Sequence, residues 1–168
     1  MLLPNLIAAT GLLCFSILGA GSQSTPPSEE GPATAGPVAV TLRSDKKIYG
    51  VKDAVKLTFV VKNPSKIPVK LTFSSGMKYD FEIRRGKTPS GEKVWQWAKG
   101  QMFAQMFLFS TLEAGKSMKF VEKFVPGEMR GDGKPSPELS PGTYTATAIL
   151  ELSGRAPRPM ARTTFTVK

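Results

Sequence analysis

Histidine is absent from the 168 residues, and cysteine occurs once, as Cys14. The first absence excludes Ser-His-Asp and Cys-His catalysis and every His-ligated zinc site. The second leaves everything after residue 14 without disulfides or thiolate ligands, so packing alone must stabilise the fold. Acid is also scarce, with 13 Asp and Glu against 23 Lys and Arg. The few carboxylates are scattered singly and most adjoin a Lys or Arg, so they form no set that could hold a cation, and no Gly-rich phosphate loop occurs. Ser-x-x-Lys appears at Ser44/Lys47, Ser75/Lys78 and Ser90/Lys93. That spacing joins the two side chains on a helical turn, whereas on a strand residues three apart point to opposite faces. The chain therefore reads as a non-enzyme with no catalytic residues, no metal and no cofactor.

Long apolar runs are missing except for one, Leu6 to Leu18, which is followed by the small residues Gly19, Ala20, Gly21 and Ser22. It is too short for a membrane span and has the form of a signal-peptide core, although no Lys or Arg precedes Arg43 to supply a basic start. We read residues 1–21 as a signal peptide, which implies a secreted, periplasmic or cell-envelope protein with no membrane span in the mature chain. Cys14 is then a small hydrophobe within that signal. Residues 22–37 are rich in Pro, Ser, Gly and Thr, have no apolar periodicity, and read as a flexible linker.

From residue 38 the chain is patterned by twos. Val38, Val40 and Leu42 alternate with polar or small residues, and Val55, Leu57, Phe59 and Val61 alternate with Lys56, Thr58 and Lys62. Leu71 and Phe73, then Tyr79, Phe81 and Ile83, predict a strand pair across the SSGM turn, and Trp95 and Trp97 sit two apart on a third strand. The run QMFAQMFLF, Gln101 to Phe109, is read as a further strand. Met118, Phe120 and Phe124 share a face with Glu122, an awkward member of that set. Tyr144, Ala146, Ala148, Leu150 and Leu152 form a long inward face, and Phe165 and Val167 close the domain. Seven to nine short strands with frequent turn signals and no convincing helix predict an immunoglobulin-like antiparallel β-sandwich over residues 38–168.

Within this pattern Phe73-Ser74-Ser75-Gly76, Tyr79-Asp80-Phe81, Val94-Trp95-Gln96-Trp97 and Phe103-Ala104-Gln105 resemble the core signature of the bacterial intracellular proteinase inhibitor (BsuPI) family. The likeness continues through Leu112 to Lys116 and Pro141-Gly142-Thr143-Tyr144. Phe124 stands where the family pattern has a tryptophan, and the export-like leader sits uneasily with an intracellular family. The resemblance implies inhibition of a serine proteinase, of the subtilisin-like kind. Phe73, Tyr79, Phe81, Trp95, Trp97 and Tyr144 are then structural core residues.

Glu29 and Glu30 are the only acids before Val38, which leaves 23 bases against 11 acids from residue 38 onward, a formal +12. Such a domain attracts anionic partners at long range, and weak attraction to anionic envelope polymers is expected. The bases are spread along outward positions and loops such as Lys52, Lys56, Lys62, Lys66, Lys70 and Lys78, with the aromatics on inward ones, a pattern unlike a specific nucleic-acid site. The longest irregular stretch, Pro126–Pro141, holds four prolines and is the first candidate for contact with a protein partner, with Met129 and Arg130 near its apex; Arg85–Lys93 is the second. The tripeptide Arg130-Gly131-Asp132 has the letters of an adhesion motif but little specificity. The alternative to an inhibitor is a structural or adhesive envelope module with the same fold and no inhibitory activity.

Overall fold

In a computed structural model of the chain the described residues are 33–34, 38–154 and 157–168. Residues 1–21, read above as a signal peptide, and residues 22–37, read as a linker, lie outside them apart from Ala33–Thr34. The described residues form eleven strands and no helix: β1 (Ala33–Thr34), β2 (Ala39–Ser44), β3 (Ile48–Tyr49), β4 (Val55–Lys62), β5 (Val69–Phe73), β6 (Tyr79–Arg85), β7 (Lys93–Gln96), β8 (Leu108–Leu112), β9 (Ser117–Phe124), β10 (Gly142–Leu150) and β11 (Met160–Val167). Nine of them have four or more residues; β1 and β3 are two-residue additions. Three sheets result, in the orders β1-β2-β4-β9, β3-β11-β10-β6-β7 and β5-β8. All pairings are antiparallel except β3 with β11. The fold is an all-β, immunoglobulin-like sandwich.

Period-two alternation builds the core. In β4, Val55, Leu57, Phe59 and Val61 are wholly buried while Lys56 and Lys62 are exposed. In the facing sheet Phe81, Ile83, Tyr144, Ala146, Ala148, Leu150, Phe165 and Val167 point inward. Aromatic edges lock the layers: Phe59 meets Phe81 at 6.2 Å and Trp95 meets Phe124 at 5.5 Å, both T-shaped. Removing one such ring typically costs about 3–5 kcal/mol. The Tyr144 hydroxyl donates to the Ser140 carbonyl at 2.7 Å, four residues upstream, the device that pins a strand entry in immunoglobulin-like sandwiches.

Three expectations are corrected. β5 does not pair with β6 across the SSGM turn; it pairs with β8, from Val69 opposite Leu112 to Phe73 opposite Leu108, and β6 lies between β7 and β10. Residues 74–78 carry the chain between sheets, and the Gly76 amide bonds the distant Ala104 carbonyl at 2.8 Å. Alternation along a strand fixes its faces but not its neighbour. Secondly, residues 101–107 are irregular, and only Leu108 and Phe109 of the expected strand belong to one. Thirdly, Tyr79 and Trp97 are half-buried, whereas Phe73, Phe81, Trp95 and Tyr144 are buried. Tyr79 and Trp97 stack on each other at 4.7 Å where β7 and β9, the outer strands of their sheets, leave the sandwich open. Among the described residues no helix is long and apolar enough to cross a membrane.

Candidate functional site

The stretch Pro126–Pro141 begins as a small hairpin. The Gly127 amide donates to the Ser136 carbonyl at 3.0 Å and the Ser136 amide to Glu128 at 2.7 Å; Met129 bridges Pro135; the Arg130 amide donates to Lys134 at 2.9 Å and the Gly133 amide returns to Arg130 at 2.9 Å. Gly133, at φ 71°, supplies the left-handed residue that closes the tip. The tip is braced a second time, because the Arg130 guanidinium pairs with Asp132 at 3.0 Å and the same carboxylate accepts the Lys134 amide at 3.2 Å. Arg130 therefore lies back along the hairpin with its side chain 13% exposed, whereas Met129 projects at 65%. Within the Arg130-Gly131-Asp132 tripeptide the guanidinium is paired with Asp132 through one Nη and lies mostly buried, with its Nε unpartnered.

The hairpin is docked as well as braced. A Cβ on Gly131 would lie 2.6 Å from the Gly100 carbonyl oxygen, so the two backbones touch where neither residue has a side chain. Gly100 belongs to the turn after β7, and that turn is held from beneath by Asp80. Alternation with Tyr79, Phe81 and Ile83 would place Asp80 on the outward face of β6, yet it is 4% exposed. Its carboxylate accepts the Phe81 amide at 2.8 Å, the Ala98 amide at 3.0 Å and the Gln96 side-chain amide. Burial pushes its pKa up, against the opposing pull of these donors. Glu151, also raised by burial, lies within its electrostatic reach and pairs with Arg158.

An open groove of about 630 Å³ runs along the hairpin, with Trp95, Trp97, Val125 and Met129 among its apolar parts and Lys123, Glu128 and Arg130 among its charged ones. Beyond the Gly100 turn the segment 102–109 exposes Met102 (98%), Met106, Phe107 and Phe109 (79%), while Phe103 turns inward to meet Trp97 at 5.8 Å. Four exposed large apolar side chains within eight residues are the kind of surface that contacts a protein, a membrane or a ligand. Sequence reasoning missed them by assigning the segment to a strand, although its lack of a clean period was the available signal. The second candidate loop, Arg85–Lys93, is tied down by the Arg84 guanidinium on the Gly91 carbonyl at 3.0 Å and exposes no large apolar side chain. Among the described residues no group of His, Cys, Asp and Glu could hold a metal ion.

Comparison with solved structures finds partial similarities at low identity. The sporulation control protein Spo0M from Bacillus subtilis matches with TM-score 0.46 and 16% identity over 80% of this chain and 50% of that one. The CARDB domain of PF1109 from Pyrococcus furiosus matches with TM-score 0.41 and 12% identity over 77% of this chain and 91% of that domain. A β-glucosidase from Erythrobacter marinus matches with TM-score 0.44 and 16% identity over 78% of this chain, which spans only 15% of the enzyme's length. No curated protein matches the sequence. The family model described as intracellular proteinase inhibitor, BsuPI, matches residues 42–155, well over half of the chain and all of the strands from β4 to β10. On that match the chain belongs to the BsuPI proteinase inhibitor family.

Proposed function

We propose that this is an exported, non-enzymatic inhibitor that offers the Met129 hairpin to the cleft of a subtilisin-like serine proteinase. Membership of the inhibitor family supports a proteinase as the partner. The observation that carries the reading is the pairing of exposure with restraint: Met129 stands 65% exposed on a backbone that hydrogen bonds lock on both sides and Gly100 supports from below. A loop already fixed in one conformation loses less entropy on binding. Met129 then supplies the side chain for a specificity pocket, and the paired Arg130 preserves the shape behind it. The exposed Met102, Phe107 and Phe109 form a second apolar contact area.

The test is inhibition of a purified subtilisin-like enzyme by the full chain. Met129→Asp should raise the inhibition constant at least tenfold, about 1.4 kcal/mol, with the melting temperature unchanged, since Met129 contributes nothing to the core. An unchanged constant would transfer the contact to the Met102–Phe109 segment. Failure of the wild type to inhibit any such enzyme would favour an envelope module. Export is checked separately: mass spectrometry after production in a host with an export pathway should find the N-terminus between about Ala20 and Thr25.

A further inference from the structure

The outward face of the four-stranded sheet is a different surface. Strand register brings together bases that lie far apart in the sequence: Lys56 stands opposite Lys123, and Val60 stands opposite Lys119. Lys62 continues the same face of β4 opposite Ser117, and Arg43 faces the same way on β2. All four lysines are exposed. The outward positions of β2, β4 and β9 carry no Asp or Glu, and among the described residues no carboxylate pairs with Lys56, Lys62, Lys119 or Lys123. Asp45, just past the end of β2, has its carboxylate occupied by the Tyr49 hydroxyl at 2.7 Å and the Lys56 amide at 3.1 Å. Like charges directly opposite one another destabilise a sheet, so the Lys56–Lys123 pair is a cost with no return inside the fold.

We propose that this face docks the domain on an anionic lipid membrane, with Lys56, Lys62, Lys119 and Lys123 of adjacent strands β4 and β9 meeting the headgroups. The geometry selects a planar partner. Neighbouring strands lie about 4.8 Å apart, and Lys56 and Lys62 are separated by roughly 20 Å along β4, so the charges fill a two-dimensional field rather than a single track. Half-buried Val60 and 39%-exposed Val121 lie between the lysines and present small apolar groups to the interface. No aromatic side chain stands on this face to stack a base, which disfavours single-stranded nucleic acid. Val121 and Lys123 also border the groove beside the hairpin, so a docked domain would carry the hairpin at the edge of the contact rather than beneath it.

The test is co-sedimentation of the full chain with phosphatidylcholine vesicles made with and without phosphatidylglycerol, the difference isolating the charge-dependent part of binding. Each lysine at a charged surface is worth roughly fivefold in partitioning, so the variant carrying Lys56→Gln, Lys62→Gln, Lys119→Gln and Lys123→Gln should lose about a hundredfold or more. A variant of equal net charge, with Lys52→Gln, Lys66→Gln, Lys70→Gln and Lys87→Gln, should lose less than about tenfold. If the first variant does not fold, Lys56→Gln with Lys123→Gln serves in its place and should lose about twentyfold. Equal losses in the face and control variants would overturn the proposal, because net charge alone would then explain binding. So would equal binding to both kinds of vesicle, or retention by soluble polyphosphate chains with none by vesicles.

Discussion

The Tyr79 hydroxyl donates to Glu122 Oε1 across 2.6 Å and so ties β6 of one sheet to β9 of the other at the open side of the sandwich. It accounts for Glu122, the acid on an otherwise apolar face of β9, and it accompanies the close contact of Tyr79 with Phe120 at 4.4 Å. Burial, with Glu122 second, raises the Tyr79 pKa, which keeps the hydroxyl a donor at every working pH.

Tyr79→Phe should therefore cost about 1–2 kcal/mol in urea unfolding, the lower part of the range for a bond to a charged acceptor because the pair is only half-buried. Glu122→Gln keeps an acceptor and should cost less. The double variant should cost less than the two single effects added together; strict additivity would show that the bond contributes nothing.

The contact of Gly131 with Gly100 predicts a difference between two alanine substitutions in the hairpin. Gly131→Ala must push the hairpin off its support, because the new Cβ would lie 2.6 Å from a backbone oxygen. Hydrogen exchange at the Arg130 and Ser136 amides should speed up at least tenfold. Gly133→Ala meets nothing within 4 Å and carries only the penalty of its φ of 71°, on the order of 1 kcal/mol. Its effect should stay at the tip, leaving the Ser136 amide protected. Identical exchange in the two variants would refute the docking role.

Asp80 predicts an inverted pH response. Its folded pKa is raised above the ordinary carboxylate value, chiefly by burial, so the folded state takes up a proton more readily than the unfolded chain. Its contribution to stability therefore improves as pH falls through the raised folded value toward the unfolded one, and Glu151 acts in the same direction. Asp45 and Asp53 oppose them. For Asp45 the donors Tyr49 and Lys56 outweigh desolvation, for Asp53 the Gly50 amide and Lys46 dominate, and both contributions are lost on acidification. Asp80→Asn removes the first effect, together with the smaller push that the Asp80 charge gives Glu151. Between neutral pH and about pH 4 the wild type should gain stability relative to this variant in chemical denaturation; a constant difference would mean that Asp80 does not titrate in that window.

The sandwich was legible in the sequence because alternation reports burial directly, and every inward position of β4, β10 and β11 read that way is buried. Pairing was not legible. β5 and β6 are consecutive and similarly patterned, yet they sit in different sheets, because the choice of partner depends on contacts such as Gly76 with Ala104 that no local pattern contains. The lysines show the same limit: Lys56 and Lys123 look dispersed along the chain and become neighbours only through the register of β4 with β9. Asp80 was misplaced for a third reason, since an outward position on a strand can still be roofed by a loop, here the turn at Ala98. Loop length and proline content single out Met129 as a candidate, whereas the restraint on its backbone comes from hydrogen bonds invisible in the sequence.

The outer position of β9 has a consequence for how copies of this molecule meet. An eight-residue strand with one unpaired edge is a template on which a second molecule could extend the sheet. Two β9 edges meeting antiparallel about Val121 would set Lys119 of each copy against Lys123 of the other, two like-charge oppositions on one exposed face. Glu122, inward and already bonded to Tyr79, adds a third obstacle. The edge that is geometrically open to self-assembly is closed to it by charge, and concentrated salt is the condition that would unlock it.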